Sequence, residues 1–196
     1  MSYTVYDTPA VVVDGWPYKD ASRRLVMQTK DLGRILVRAQ AVRKLSSKLR
    51  PATQLYAQSR IEVVYGKSGW RLVGAVPKQN VYFSAGDAGQ KAIRRTTGLL
   101  TRLVPAQQPD RKLFAIVTSG LQALAVMDAP EVVGVTETLF VFRLVSLLGY
   151  APDQSAHNLK QYLQSQSYTQ KQLKDFSNKQ EQAVAQINQA LANAQM

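Results

Sequence analysis

Arg43, Lys44, Lys48 and Arg50 fall within eight positions of the stretch "AVRKLSSKLRP" (41–51), and no acid lies among them. Closely spaced cations without carboxylates suit one kind of chemistry: they neutralise successive phosphates and release their condensed counterions. A solvated surface loop is the plain alternative for any short charge run. The residues before the loop favour the first reading. In "GRILVRAQAVRK", strand alternation sends Ile35, Val37, Ala39 and Ala41 to one face. Arg34, Leu36, Arg38 and Gln40 go to the other. Arg34 and Arg38 then stand away from the core, and strand face and loop make one contiguous basic surface. Lys67 in a turn and Arg71 just after it extend the candidate set. Tyr56, Tyr65 and Trp70 are candidate platforms for base stacking, although each also suits a core.

Bond-making chemistry finds little material. "YGKSG" (65–69) carries the end of a phosphate-binding loop, but Ile61 stands where that pattern needs glycine, and a strand rather than a helix follows. "GDAG" (86–89) lacks the rest of a dinucleotide fingerprint and reads as a helix start. His157 is the single histidine, in polar surroundings, and cysteine is absent, so thiolate and His-pair metal arrangements are excluded and a Ser-His-Asp arrangement is disfavoured. No spacing sets two acids on one helical face. The sequence predicts no catalytic residue, no cofactor and no metal, and a nuclease would need clustered acids.

The elements that must position the basic residues follow from periodicity. "YTVYDTPAVVVDGW" reads as a strand broken at Gly15 and Pro17. "RRLVMQTKDLGRILVRAQAV" is a hairpin turning at Lys30–Gly33, and "SRIEVVYGKSGWRLVGAV" a second turning at Gly66–Gly69. About five short strands with no room for crossover helices predict a small closed barrel over residues 1–80. Beyond residue 81 the period becomes helical. Ile93, Leu99, Leu100 and Leu103 mark a helix ended by Pro105, Asp110 caps a second, and Pro130 opens an apolar third closed by Gly149. Thr169 with Gln172 and Asn178 with Glu181 cap two short final helices, the last with a stripe of Val184, Ile187 and Leu191. The expected fold is α+β: an N-terminal five-stranded OB-type barrel (1–80) and a C-terminal all-helical domain (81–196).

The 196 residues carry 25 Lys and Arg against 13 acids, net +12. Residues 1–80 hold fourteen of the bases and five of the acids, so the predicted barrel carries most of the excess. A field of that sign points to a polyanion, either nucleic acid or an anionic membrane surface. The amino end has no basic region before its apolar run, so it does not read as a signal peptide. The best apolar stretch, residues 139–150, is interrupted by Arg143 and falls short of the roughly 20 residues a span needs. A soluble, cytoplasmic protein is expected.

"YTVYDTPAVVVDGW", "GRILVRAQAVRKLSSKLRP" and "GKSGWRLVGA", in that order and spacing, resemble the amino-terminal OB domain of the RecO family of bacterial recombination mediators. "FVFRLVSLLGYAPD" (140–153) resembles the family's central helix with its Leu-Gly-Tyr end. The resemblance implies a protein without enzymatic turnover, associated with the nucleoid. It would bind single- and double-stranded DNA and anneal complementary strands. With a RecR-type ring it would replace single-strand-binding protein by RecA. An RNA-binding OB factor of the ribosome or tRNA is the alternative that charge alone leaves open.

Two departures from the family pattern stand out. Where relatives often read Ala-Lys-Gly-x-Arg, this chain has Ala39-Gln40-Ala41-Val42-Arg43. The four-cysteine zinc module that many relatives insert after Leu-Gly-Tyr is missing, because residues 153–168 contain no cysteine. The family also implies an apolar pocket beside the central helix, rimmed by bases, for the acidic tail of single-strand-binding protein. Relatives often place Arg before Phe-x-Leu, but Thr138-Leu139-Phe140 stands here, leaving Arg143, Arg102 and Lys112 as nearest candidates. For Arg143, pairing with Glu137 or Asp153 is the structural alternative.

Overall fold

The computed structural model describes residues 4–150 and 159–193. Five strands come first: β1 (Val5–Tyr18), β2 (Ser22–Thr29), β3 (Arg34–Ala39), β4 (Ala57–Gly66) and β5 (Gly69–Asn80). They close into a barrel in the order β1-β2-β3-β5-β4, with β3 and β5 parallel and every other pair antiparallel. This is the OB-type layout expected from the two hairpins. The interior is filled by alternate residues, among them Leu25 and Met27 of β2, Ile35, Val37 and Ala39 of β3, and Ile61 and Val63 of β4. Both hairpin turns rest on glycines in the left-handed region, Gly33 at φ 71° and Gly69 at φ 83°. At Gly33 a side chain is doubly excluded, since a Cβ would come within 2.4 Å of the Gln108 carbonyl oxygen.

Contrary to expectation, β1 does not break at Gly15 and Pro17. Its first half, Val5–Val11, pairs with β4, whereas Asp14–Tyr18 pairs with β2 alone. Pro17 therefore needs no donor toward a second neighbour, and a proline is tolerated there.

The helical elements are α1 (Val81–Ser84), α2 (Asp87–Leu103), α3 (Arg111–Val126), α4 (Pro130–Leu147), α5 (Gln161–Gln164), α6 (Gln170–Ser177) and α7 (Gln180–Asn193). Asp110 Oδ1 accepts the N–H groups of Lys112 (2.7 Å) and Leu113 (3.0 Å), which caps α3. Thr169 caps α6 by accepting the Gln172 N–H, and Gly149, φ 79°, follows α4. The chain folds into two compact units. One holds the barrel up to Phe83 together with Thr97–Phe114, and the other holds Ser84–Thr96 and the residues from Ala115 onward.

Within the second unit, α4 buries Val133, Leu139, Phe140, Phe142 and Leu144 and packs against α5, α6 and α7. Its role as central helix follows from that all-round burial. Two details of the carboxyl end differ from the sequence reading. Asn178 ends α6 rather than opening α7, which starts at Gln180. The buried stripe of α7 is Ala183, Gln186, Ile187 and Ala190, whereas Val184 is exposed. Small alanines, not the larger Val184, occupy the buried side, so size-weighted periodicity pointed one position off. His157, Asp153 and the rest of residues 151–158 lie outside the described residues, so the expectations for them are not addressed by the structure. Among the described residues no helix is long and apolar enough to cross a membrane, and no cluster of His, Cys, Asp and Glu could hold a metal ion.

Candidate nucleic-acid interface

The alternation of β3 is as the sequence implies. Ile35, Val37 and Ala39 are buried in the barrel, and Leu36 and Arg38 lie on the outer face. Register then does what sequence distance conceals. Arg38 is paired with Arg24 on β2 and with Arg71 on β5, so three arginines stand side by side across three adjacent strands. Like charges in register destabilise a sheet. None of the three has a carboxylate partner among the described residues. The Arg24 guanidinium instead lies over the Tyr18 ring, 4.6 Å from its centroid. Arg38, Arg71 and Lys67 also line a cleft of about 230 Å³, floored by Val64 and the Gly66–Gly69 turn.

The loop that follows β3 supplies the other bases. Arg43, Lys44, Lys48 and Arg50 are all exposed. Successive turns hold the loop in shape: the N–H groups of Lys44, Ser47 and Arg50 donate to the carbonyls of Ala41, Lys44 and Ser47. Val42 is buried at one end and Leu49 packs on the barrel core at the other, while Leu45 at the tip is 87% exposed. The Arg43 N–H donates to the Ala21 carbonyl, which ties the loop to the β1–β2 turn. The cations are thus displayed on an ordered support.

Other candidates are placed differently. Arg34 is half-buried with its Nε enclosed and unpartnered; its carbonyl accepts the Gln107 N–H, and it bridges to Ala106. The segment after α2 covers that end of the strand, so the basic surface is not continuous from Arg34 to Arg38. Trp70 points to the opposite face of β5 from Arg71, where it packs on the barrel core. Tyr65 and Tyr6 meet its ring edge-on, with centroids 4.9 and 5.3 Å away. Tyr56 is stacked on Tyr82 at 5.1 Å. The Trp70 and Tyr56 rings are thus both packed against other rings, and Trp70 does not share the arginine face. Arg24 was missed because nothing next to it in sequence is basic except Arg23; folding the first hairpin about its turn would have paired it with Arg38.

In the second unit, Arg143 is 2% exposed. Its Nε and Nη1 donate to the carbonyls of Tyr162 (2.8 Å) and Ser167 (2.9 Å), and its guanidinium stacks on Tyr168. A side chain so committed is not a rim cation for a peptide. Glu137, one of its two expected partners, instead binds Arg95. A groove of about 600 Å³ does lie beside α4, lined by Val126, Val132 and Leu173, but Asp128 and Glu131 stand at it with only Lys174 opposing them. Arg102 and Lys112 are exposed and belong to the barrel's unit.

Comparison with known proteins adds an independent observation. Residues 96–182 match the family model described as "Recombination protein O C terminal". The chain is 29% identical over 154 residues to the DNA repair protein RecO of Heliobacterium modesticaldum, an alignment covering 77% of this chain and 54% of that protein. Against the DNA repair protein RecO of Gloeothece citriformis it is 24% identical over 148 residues, covering 75% and 52%. The chain spans about half the length of these RecO relatives. The family match lies in the helical part and includes the stretch 140–153, one of the motifs on which the resemblance was read; the other motifs lie in the barrel.

Proposed function

We propose that this chain is a RecO-type, non-enzymatic DNA-binding recombination mediator in DNA repair. Residues 1–80 act as the nucleic-acid-binding domain and 81–196 as a helical partner domain. It binds single- and double-stranded DNA and anneals complementary strands. Together with a RecR-type ring it helps RecA replace single-strand-binding protein. The observation that carries this reading is the in-register row of Arg24, Arg38 and Arg71, unpaired on the outer face of an OB-type barrel. A row of repelling cations is stabilised by a polyanion laid across it. Arg43, Lys44, Lys48, Arg50 and Lys67 extend the electrostatic footprint. With Arg143 committed to backbone carbonyls, exposed Arg102 and Lys112 are the cations left for an acidic tail.

A strand-annealing assay tests the reading, run with complementary oligonucleotides bare and coated with single-strand-binding protein. The intact chain should accelerate annealing in both, and Arg38→Glu with Arg71→Glu should abolish the acceleration while leaving the melting temperature within a few degrees. No acceleration by the intact chain, or tighter binding to RNA than to DNA of matched length, would count against it.

A further inference from the structure

The arginine row ends at an aromatic ring. Trp16 on β1 is paired in register with Arg24, so the order across four strands is Trp16, Arg24, Arg38, Arg71, all on the outer face. Trp16 is 41% exposed, and among the described residues no other ring lies against it. An indole left open on a strand, at the end of a cationic row, offers a flat apolar surface beside groups that hold phosphates. At ordinary strand spacing the path along the barrel wall from Trp16 to Arg71 is about 14 Å, short enough for one nucleic-acid segment to follow.

Charge also sets direction. Asp14 lies two residues before Trp16 on the same face, opposite Val26, and its carboxylate accepts the Gly15 N–H. A phosphate is repelled there, whereas an uncharged base is not. We infer that Trp16 is a base-stacking subsite specific for unpaired nucleotides, with the phosphates running toward Arg38 and Arg71. This rests on the nucleic-acid reading above and adds to it a platform and a single-strand preference. A duplex keeps its bases stacked on one another and cannot offer one to the ring.

The intact chain titrated with oligothymidylate should show quenched tryptophan emission. Trp16→Phe should remove most of that quenching, and Trp70→Phe should retain it. Trp16→Ala should weaken oligothymidylate binding about 5-fold or more, Trp16→Tyr should recover much of the loss, and duplex affinity should stay unchanged. An abasic oligonucleotide should bind the intact chain without quenching. If the chain binds oligothymidylate but Trp16→Ala binds equally well, or loses single strand and duplex affinity alike, the stacking subsite is wrong and the basic face still stands. If the intact chain binds no oligonucleotide, both fall.

Discussion

Arg143 illustrates how a charged residue on an apolar helix can serve structure rather than recognition. Its guanidinium satisfies two carbonyls that approach α4, those of Tyr162 and Ser167, and covers the face of Tyr168. Arg143→Met should strip those acceptors and destabilise the second unit by about 3 kcal/mol, read from urea unfolding. Arg143→Lys should recover only part of it, because an ammonium lacks the planar fork. Burial pushes the Tyr168 hydroxyl above its ordinary pKa of 10.0, and Arg143 pulls it the other way. A tyrosine harder to ionise in the folded chain leaves stability intact below about pH 10 and withdraws it as pH rises further. Tyr168→Phe should flatten that alkaline loss in a pH series of melting temperatures. The sequence exposed the arginine but not its surroundings, because carbonyls approach it from segments about twenty residues away. The same holds for the outer-face row: Arg38 was legible from alternation, whereas Arg24 and Trp16 needed the strand register, and the covering of Arg34 needed the tertiary fold.

At the scale of elements, periodicity and turn chemistry locate most of the strands and helices, and side-chain size misleads at one. Both hairpins turn where their glycines require it, and Asp110, Thr169 and Gly149 mark helix ends as expected. Gly33→Ala should cost more than about 1 kcal/mol, since it meets both an unfavourable φ and the Gln108 backbone. On α7, Val184 and Leu191 outweigh alanine in any hydrophobic pattern, yet Ala183 and Ala190 are fully buried. Ala190→Leu should therefore destabilise by about 1–3 kcal/mol through overpacking. Val184→Ala should stay within about 0.5 kcal/mol. Thermal melts of the two variants side by side would show whether the stripe is assigned correctly.

For the whole molecule, an excess of twelve positive charges makes salt the controlling variable. Single-strand affinity should fall linearly on a log–log plot against salt, with a slope of about −0.7 per phosphate contacted. Replacing Lys44, Lys48 and Arg50 by alanine should shrink the slope by about 2 if each meets a phosphate, and weaken all sequences alike. An unchanged slope would remove the loop from the site. The charge bias toward residues 1–80 was plain from composition; how those charges are spaced was not, because it depends on how the barrel closes. That closure has a consequence of its own. The β3–β5 seam is held by the pairs Val37–Trp70 and Arg38–Arg71, joining segments more than thirty positions apart, and its outer side carries two repelling guanidiniums. A phosphate seated between them would act as a clasp on the barrel's own closure. Amide hydrogens along Val37–Ala39 and Trp70–Leu72 should then exchange more slowly when oligonucleotide is bound, while those of the β1–β4 ladder keep their rates.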